Sequence, residues 1–305
     1  MRGELLSGTN WTASRNQRRL RVVFTQDEYE LIDFGEGRRL ERFQGVLVDR
    51  PCPAADGLSR CTPAAWDQAD LRYERDSGGE GRWNQLGRRP ERWSIRHGWM
   101  QLELRPTPLG QVGVFPEQAE NWDWIERQLR RLGRPLKVLN LFAYTGGATL
   151  AAAAAGAEVV HVDAAQTVLA WARRNAALSQ LSGAPIRWIV EDAAKFVQRE
   201  VRRGNRYDAV ILDPPSYGHG PKGEAWKIER HLDDLLLHCA ALMTGPPALL
   251  LLTCHSPSIR LDGLRQRLAG SFAGVAAEAV RAQRLYLRTA GGRKLSSGLA
   301  AYWRE

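Results

Sequence analysis

Residues 136–150 read LKVLNLFAYTGGATL: an apolar run, a turn holding Gly146 and Gly147, and the start of an alanine-rich stretch that closes at Gly156. The run Leu136 to Phe142 predicts a buried strand. Ala148 to Ala155 predicts a helix, because alanine loses least on entering one. Small residues between the two let a ligand approach the backbone N–H groups at the helix start. On its own this turn is a weak signal, since it lacks the full G-x-G-x-x-G spacing and glycine there also serves geometry. The repetition that follows gives it weight. Apolar runs recur at Glu158 to Asp163, Ile186 to Glu191, Tyr207 to Asp213 and Ala248 to Cys254, with helix-like segments between them. This alternation predicts an α/β fold, a Rossmann-like doubly wound sheet whose ligands lie beyond the carboxyl ends of the strands. Two β-like runs around Gly291 and Gly292 predict a C-terminal antiparallel edge hairpin.

The strand ends carry the chemistry. The second strand ends on Asp163, where a carboxylate can accept from both hydroxyls of a ribose. The third is followed by Asp192, an acceptor placed for an adenine amino group. For each acid a solvated turn or a helix N-cap is the plainer alternative. The fourth strand runs into DAVILDPPSYGHG, residues 208–220. Pro214 and Pro215 lack the N–H that a central strand needs, so the ladder stops and leaves carbonyls near Asp213 free to accept from a planar base. Tyr217 can then stack on its face.

Residues 20–110 have a different texture, with short β-like runs separated by turns rich in Gly, Pro, Asp and Arg. They predict a small β-rich N-terminal domain, after a flexible segment over 1–19 and before a Rossmann-like domain over 111–305. Trp83, Trp93 and Trp99 there are read first as core, with RNA contact as the alternative. The chain is 44% hydrophobic over 305 residues, enough for a real core, and its formal net charge is +9, carried mostly by arginine. Arginine suits bidentate contact with phosphates, so a nucleic-acid partner gains weight. Neither a membrane-length apolar window nor a secretory signal is evident, and the four cysteines, Cys52, Cys61, Cys239 and Cys254, show neither a disulfide framework nor zinc spacing. Free thiols in the cytoplasm, with no membrane and no metal, are expected.

VLNLFAYTGGATL, VDAAQTVLAWARRNAAL, EDAAKF and DPPSYG together resemble the class I S-adenosylmethionine-dependent methyltransferases. Within that class they are similar to the ribosomal RNA group that includes cytosine-5 and guanine-7 enzymes of 23S RNA. GVFPEQAENWDWI resembles the loop that closes over the cofactor in that group, and YELIDFGEGRRLERF through RRPERW looks like the β-rich front domain of a bacterial branch. The resemblance implies S-adenosylmethionine as cofactor and an RNA base, most simply a ribosomal one, as substrate. Asp163 would hold the ribose, Asp192 the adenine, and the turn Tyr144, Thr145, Gly146 and Gly147 the methionine end. Phe115, Asn140 and Asp213 complete the cofactor set. Asp213, Pro214, Pro215 and Tyr217 would face the target base, with Lys222, Lys227 and Arg230 on phosphates.

Cytosine-5 enzymes end their fifth strand with a catalytic cysteine. Here that strand ends LLLTCHSPSI, so Cys254 is available as nucleophile for a 5-methylcytosine product, although the resemblance sets His255 opposite the cysteine. A one-residue slip turns a side chain to the other face of a strand. Three alternatives stay open: a guanine-directed enzyme, a small-molecule methyltransferase, and an RNA-binding protein without activity.

Overall fold

The structure, a computed structural model, describes residues 24–75, 81–90, 93–219, 225–243, 245 and 248–304. The expected flexible segment over 1–19 and the phosphate contact expected of Lys222 fall outside those residues.

The front of the molecule is a five-stranded sheet in the order β1-β2-β3-β4-β5, built from β1 (Tyr29–Gly35), β2 (Arg38–Phe43), β3 (Val46–Pro51), β4 (Leu71–Arg75) and β5 (Gly81–Gln85). A single-turn helix α1 (Pro63–Trp66) lies between β3 and β4. Its inner face buries Leu31, Phe43, Val48 and Leu71, the alternate residues of a half-covered sheet. Charge is buried here too. Glu41 is fully buried and takes Arg50 at 2.6 Å, Arg39 at 3.2 Å and the Tyr29 hydroxyl at 3.0 Å. Asp49 holds Arg38 and Arg72, while Arg42 and Arg60 pair with Glu30 and Glu36. Arg38, Arg39, Arg42, Arg50 and Arg72 of this sheet thus face acids and need no external phosphate. Trp93 is buried core and donates to the Phe43 carbonyl, Trp83 is half-buried, and Trp99 is exposed.

A hairpin of β6 (Trp93–His97) and β7 (Met100–Leu104) leads to α2 (Ala119–Leu132), which ends at Gly133 with φ +64°, the left-handed cap that glycine adopts most readily. Then follow β8 (Lys137–Leu141), α3 (Gly147–Ala154), β9 (Glu158–Asp163), α4 (Gln166–Leu178), β10 (Ile186–Val190), α5 (Ala193–Arg202) and β11 (Ala209–Leu212). A short hairpin, β12 (Tyr217–His219) with β13 (Ala225–Lys227), precedes α6 (Ile228–Ala240) and β14 (Leu249–Cys254). The chain ends in α7 (Leu261–Ser271), β15 (Arg281–Arg288) and β16 (Lys294–Arg304). Seven strands form one sheet in the order β10-β9-β8-β11-β14-β16-β15, with β10 through β14 parallel and β16 antiparallel to both neighbours. This is the expected doubly wound sheet with its edge hairpin. Strand order reverses between β8 and β11, the place where such sheets open a crevice.

β8, β9, β11 and β14 are covered on both faces, whereas the edge strand β10 is only partly buried. Val138, Ile211 and Leu251 pack on one side, and Leu139, Leu212 and Leu252 on the other. The first of these clusters runs on without interruption into the front sheet, through Val112 and Trp122 to Leu31 and Phe43. A second link is ionic. Arg293, in the turn of the β15–β16 hairpin, reaches Asp33 at 2.5 Å and the carbonyls of Phe34 and Ser59 at 3.1 and 2.8 Å. Burial alone would raise the Asp33 carboxyl, but donors from Trp66, Thr62 and Phe34 hold it down at about 2. Replacing it would strand those donors and the guanidinium together. Asp33→Ala is expected to cost about 3–5 kcal/mol in urea unfolding, the range for removing one partner of a buried pair. A loss under about 1 kcal/mol would show that the apolar contact alone seats the hairpin.

Candidate active site

β11 stops at Leu212, one residue before the expected end: Asp213 N still donates to the Leu141 carbonyl at 3.4 Å, but Pro214 and Pro215 have no N–H to continue. The Asp213 carboxylate therefore leaves the sheet and meets three other elements. Gln118, just before α2, donates to Oδ2 at 2.9 Å. Thr253 on β14 donates its hydroxyl to Oδ1, and His255 Nε2 stands 3.4 Å from the same oxygen. Behind Gln118 the chain of bonds runs on to Asn121 at 2.5 Å, from there to the Tyr302 hydroxyl at 2.5 Å, and to Gln283 at 3.0 Å.

His255 sits at the mouth with 32% of its side chain exposed. Partial burial opposes a charged ring, but the hydrogen bond and charge of Asp213, helped by Glu117 and the Ser297 backbone, raise its pKa to about 9. The imidazole is thus a cation at neutral pH. Space for it exists because residue 298 is glycine: a Cβ there would come within 2.7 Å of His255 Nδ1.

The β8-to-α3 turn forms the other wall. Phe142, Tyr144 and Gly146 have φ of +55°, +48° and +95°, so the backbone alternates hand and turns successive N–H groups toward one side. Gly146 caps α3 without a side-chain bond, leaving first-turn N–H groups for an anion, and a Cβ on Gly147 would lie 2.5 Å from the Trp122 ring. Asp163 accepts from Tyr144 N at 2.8 Å and Ala165 N at 3.0 Å, one bond per oxygen, which leaves lone pairs on both. Burial raises its pKa against those two N–H groups. Asp192 caps α5 through Lys195 N at 3.0 Å. The expected N-cap alternative is therefore realised, and its second oxygen remains an acceptor. Between the walls lies a cavity of about 50 Å³ bounded by Phe115, Gln118, Asn140, Tyr144 to Gly147, Asp213 and Thr253. Phe115 closes it, its ring 5.3 Å from Tyr144 and 6.3 Å from His255. An anion-binding helix start, a ribose-height carboxylate and an aromatic lid are the features that a nucleoside bearing an amino-acid tail requires, so the residues fit that cofactor.

Not every expected residue joins them. Tyr217 is 55% exposed on β12, opposite Lys227 in the register of that hairpin. The Pro215 carbonyl is not free, because Trp226 donates to it at 2.7 Å, whereas the Pro214 carbonyl has no donor among the described residues. Cys254 is fully buried among Leu212, Leu252, Trp226 and Ile228, on the face of β14 opposite Thr253 and the cavity. Burial pushes its thiol up, away from thiolate. The alternation of β14 that sends Thr253 to the cavity turns Cys254 away from it. Thr253 is not singled out by the sequence, and Gln118 and Asn121 lie in the quoted loop GVFPEQAENWDWI without being singled out within it. Thr253 and His255 are two apart in TCH, a same-face signal that was present, but nothing local marks Gln118 as the partner of a strand end 95 residues away.

A larger cavity of about 680 Å³ lies elsewhere, between the β6–β7 hairpin and α2, lined by Glu120, Asp123 and Glu126 together with Arg127 and Arg281, beside Trp99 and Trp124. Its lining includes none of Asp163, Asp192 and Asp213. Among the described residues no cluster of ligands suits a metal ion, and no helix is long and apolar enough to cross a membrane.

The ion pair can be read directly. In NMR titration the His255 ring should change charge near pH 9 in the native protein and near 6.5 in Asp213→Asn. Because the folded value is raised, its stabilisation is present below pH 6.5 and fades as pH rises through 9. A native midpoint near 6.5 would contradict the assigned pairing.

A sequence model of S-adenosylmethionine-dependent methyltransferases matches residues 65–269. The crystal structure of a SAM-dependent methyltransferase from Agrobacterium tumefaciens is similar at a TM-score of 0.83 and 38% identity, covering 91% of this chain and 90% of that one. Proteins named ribosomal RNA large subunit methyltransferase K/L are also similar. The one from Syntrophotalea carbinolica is 32% identical over 63% of this chain and 26% of its own length, and that from Hahella chejuensis 34% identical over 59% and 24%. The chain thus spans about a quarter of the length of those curated relatives. Strand order, turn and match agree: this chain belongs to the S-adenosylmethionine-dependent methyltransferases.

Proposed function

We propose that the chain methylates an RNA base, with ribosomal RNA as the first candidate. The observation that carries this reading is the proline-terminated end of β11, where the Asp213 carboxylate accepts at the cavity and Tyr217 stands exposed beside Lys227. A planar base with N–H donors fits acceptors at one edge and an aromatic ring on its face. The ribosomal RNA named for the curated relatives supports the same substrate class.

Bound S-adenosylmethionine supplies an electrophilic methyl group on a sulfonium. On this reading the turn Tyr144 to Gly147 holds its carboxylate end, Asp163 its ribose, Asp192 its adenine, and Phe115 covers it. Asp213 orients the target base by accepting its N–H, and the His255 cation donates to an oxygen or nitrogen on the same edge. His255 is kept charged by Asp213, so it serves as a donor rather than as a base at neutral pH.

The burial of Cys254 argues against carbon 5 of cytosine as the position methylated. Carbon 5 of cytosine needs a thiolate to add at carbon 6 first, and the Cys254 thiol is buried, protonated and turned from the cavity. A base nitrogen needs no such step. The proposal is therefore direct transfer to a nucleophilic nitrogen, of which guanine N7 is the clearest case, in place of the 5-methylcytosine expected from sequence.

Transfer of labelled methyl groups to unmodified ribosomal RNA tests this. Cys254→Ala is expected to keep its rate within about threefold, while Asp213→Ala falls by roughly a hundredfold or more, the scale of one oriented acid–base group. Asp163→Ala should weaken cofactor binding by about 1.5–3 kcal/mol in calorimetry. Loss of activity in Cys254→Ala, with covalent trapping by RNA containing 5-fluorocytosine, would restore the cytosine mechanism. Transfer to a free amine but to no RNA would favour the small-molecule reading.

A further inference from the structure

From position 279 to 304 the chain carries no acid at all, but it holds Arg281, Arg284, Arg288, Arg293, Lys294 and Arg304. Arg293 is used internally on Asp33. The burial pattern of β15 alternates from Arg284 to Arg288: Leu285 and Leu287 enter the core, while Arg284, Tyr286 and Arg288 are exposed on the opposite face. Lys294 is paired with Arg288 across the hairpin and sits 5.9 Å above the Tyr286 ring. Four neighbouring side chains therefore present three cations and one 40% exposed aromatic ring. Arg284, Arg288 and Lys294 make no ion pair among the described residues, in contrast to Arg38, Arg39, Arg42, Arg50 and Arg72 of the front sheet.

The register fixes where this strip lies. Cys254, the last residue of β14, is level with Leu299, and Leu299 is level with Arg284. Tyr286, Arg288 and Lys294 come after that level, so they project beyond the carboxyl ends of the parallel strands, the end that carries Asp213 and His255. Two strand spacings separate β15 from β14, about 10 Å. Cross-strand partners share a face, so Arg284 lies with Leu299 and Cys254 on the face of the sheet opposite Thr253, and the strip reaches the site around the strand ends.

We infer that Arg284, Tyr286, Arg288 and Lys294 form an RNA-binding strip that grips the strand flanking the target base, the cations on phosphates and Tyr286 stacked on an unpaired base. This rests on the RNA reading above and deepens it by assigning the contact. Charge selects the partner: an acid-free cationic row with an exposed ring suits a polyanion with π-faces. Exposed cations on an edge strand have a second known use, blocking strand-to-strand aggregation. The test separates the two.

Binding of in-vitro transcribed 23S ribosomal RNA would be measured across salt concentrations for the native chain, Arg284→Ala/Arg288→Ala/Lys294→Ala, Tyr286→Ala, and Arg202→Ala/Arg206→Ala as a control at the amino ends of the strands. The triple variant is expected to lose at least about tenfold in affinity and to show a log–log salt slope shallower by about 2, since each single-strand phosphate contact carries about 0.7. Tyr286→Ala should weaken binding roughly five- to hundredfold with the slope unchanged. The control should bind as the native chain does, and all variants should keep native affinity for S-adenosylmethionine. Native affinity and slope in the triple variant would overturn the strip, and aggregation of that variant in light scattering would then assign the cations to edge protection. An equal loss in the control would reduce the effect to net charge and overturn it as well. Failure of the native chain itself to bind any RNA would overturn both the strip and the RNA reading.

Discussion

Asp213 gathers hydrogen bonds from Gln118, Thr253 and His255, which lie before α2, on β14 and just after it, and each contact depends on β11 ending where it does. A third parallel-strand N–H in place of Pro214 would carry the ladder on and keep the carboxylate at the sheet face. Two prolines forbid that. The carboxylate is then free to charge His255, to orient Gln118 and, through Asn121 and Tyr302, to connect the site with the edge strand. One local constraint on the backbone thus converts the middle of the sheet into a polar site with a fixed cation beside a fixed anion.

The remainder of the molecule positions that pair. The alternating-handed turn from Phe142 to Gly146 sets the helix start across from it, and Trp122 fills the space that a side chain on Gly147 would claim. The front sheet is not an appendage in energetic terms, since a single apolar cluster runs from it into the main sheet and Arg293 is shared between them. Phe115 and Glu117, which face the site, stand on the segment that joins those two parts.

The parallel strands were legible because strands covered on both faces are written as continuous apolar runs, and the glycine turn because its neighbours leave little else for it to do. Asp163 and Asp192 were legible as strand ends, although Asp192 spends one oxygen on a helix cap. Cys254 was misjudged as reachable: the residue type suggested a nucleophile, while the period of two along β14 sends its side chain to the core. The net charge was read as one property, whereas Arg38, Arg39, Arg50 and Arg72 are held by Glu41 and Asp49 and the row on β15 makes no ion pair among the described residues. That distinction is tertiary and has no local signature. Gln118 had none either, because its partner is brought to it only by the closed fold.

The central claim, that this site methylates an RNA base, is tested most directly in the product. Mass spectrometry of ribosomal RNA nucleosides would compare cells with the gene, without it, and with it restored. The account predicts that one methylated base, carrying the group on nitrogen, is lost on deletion and returns on restoration. An unchanged set of modified ribosomal nucleosides would contradict it.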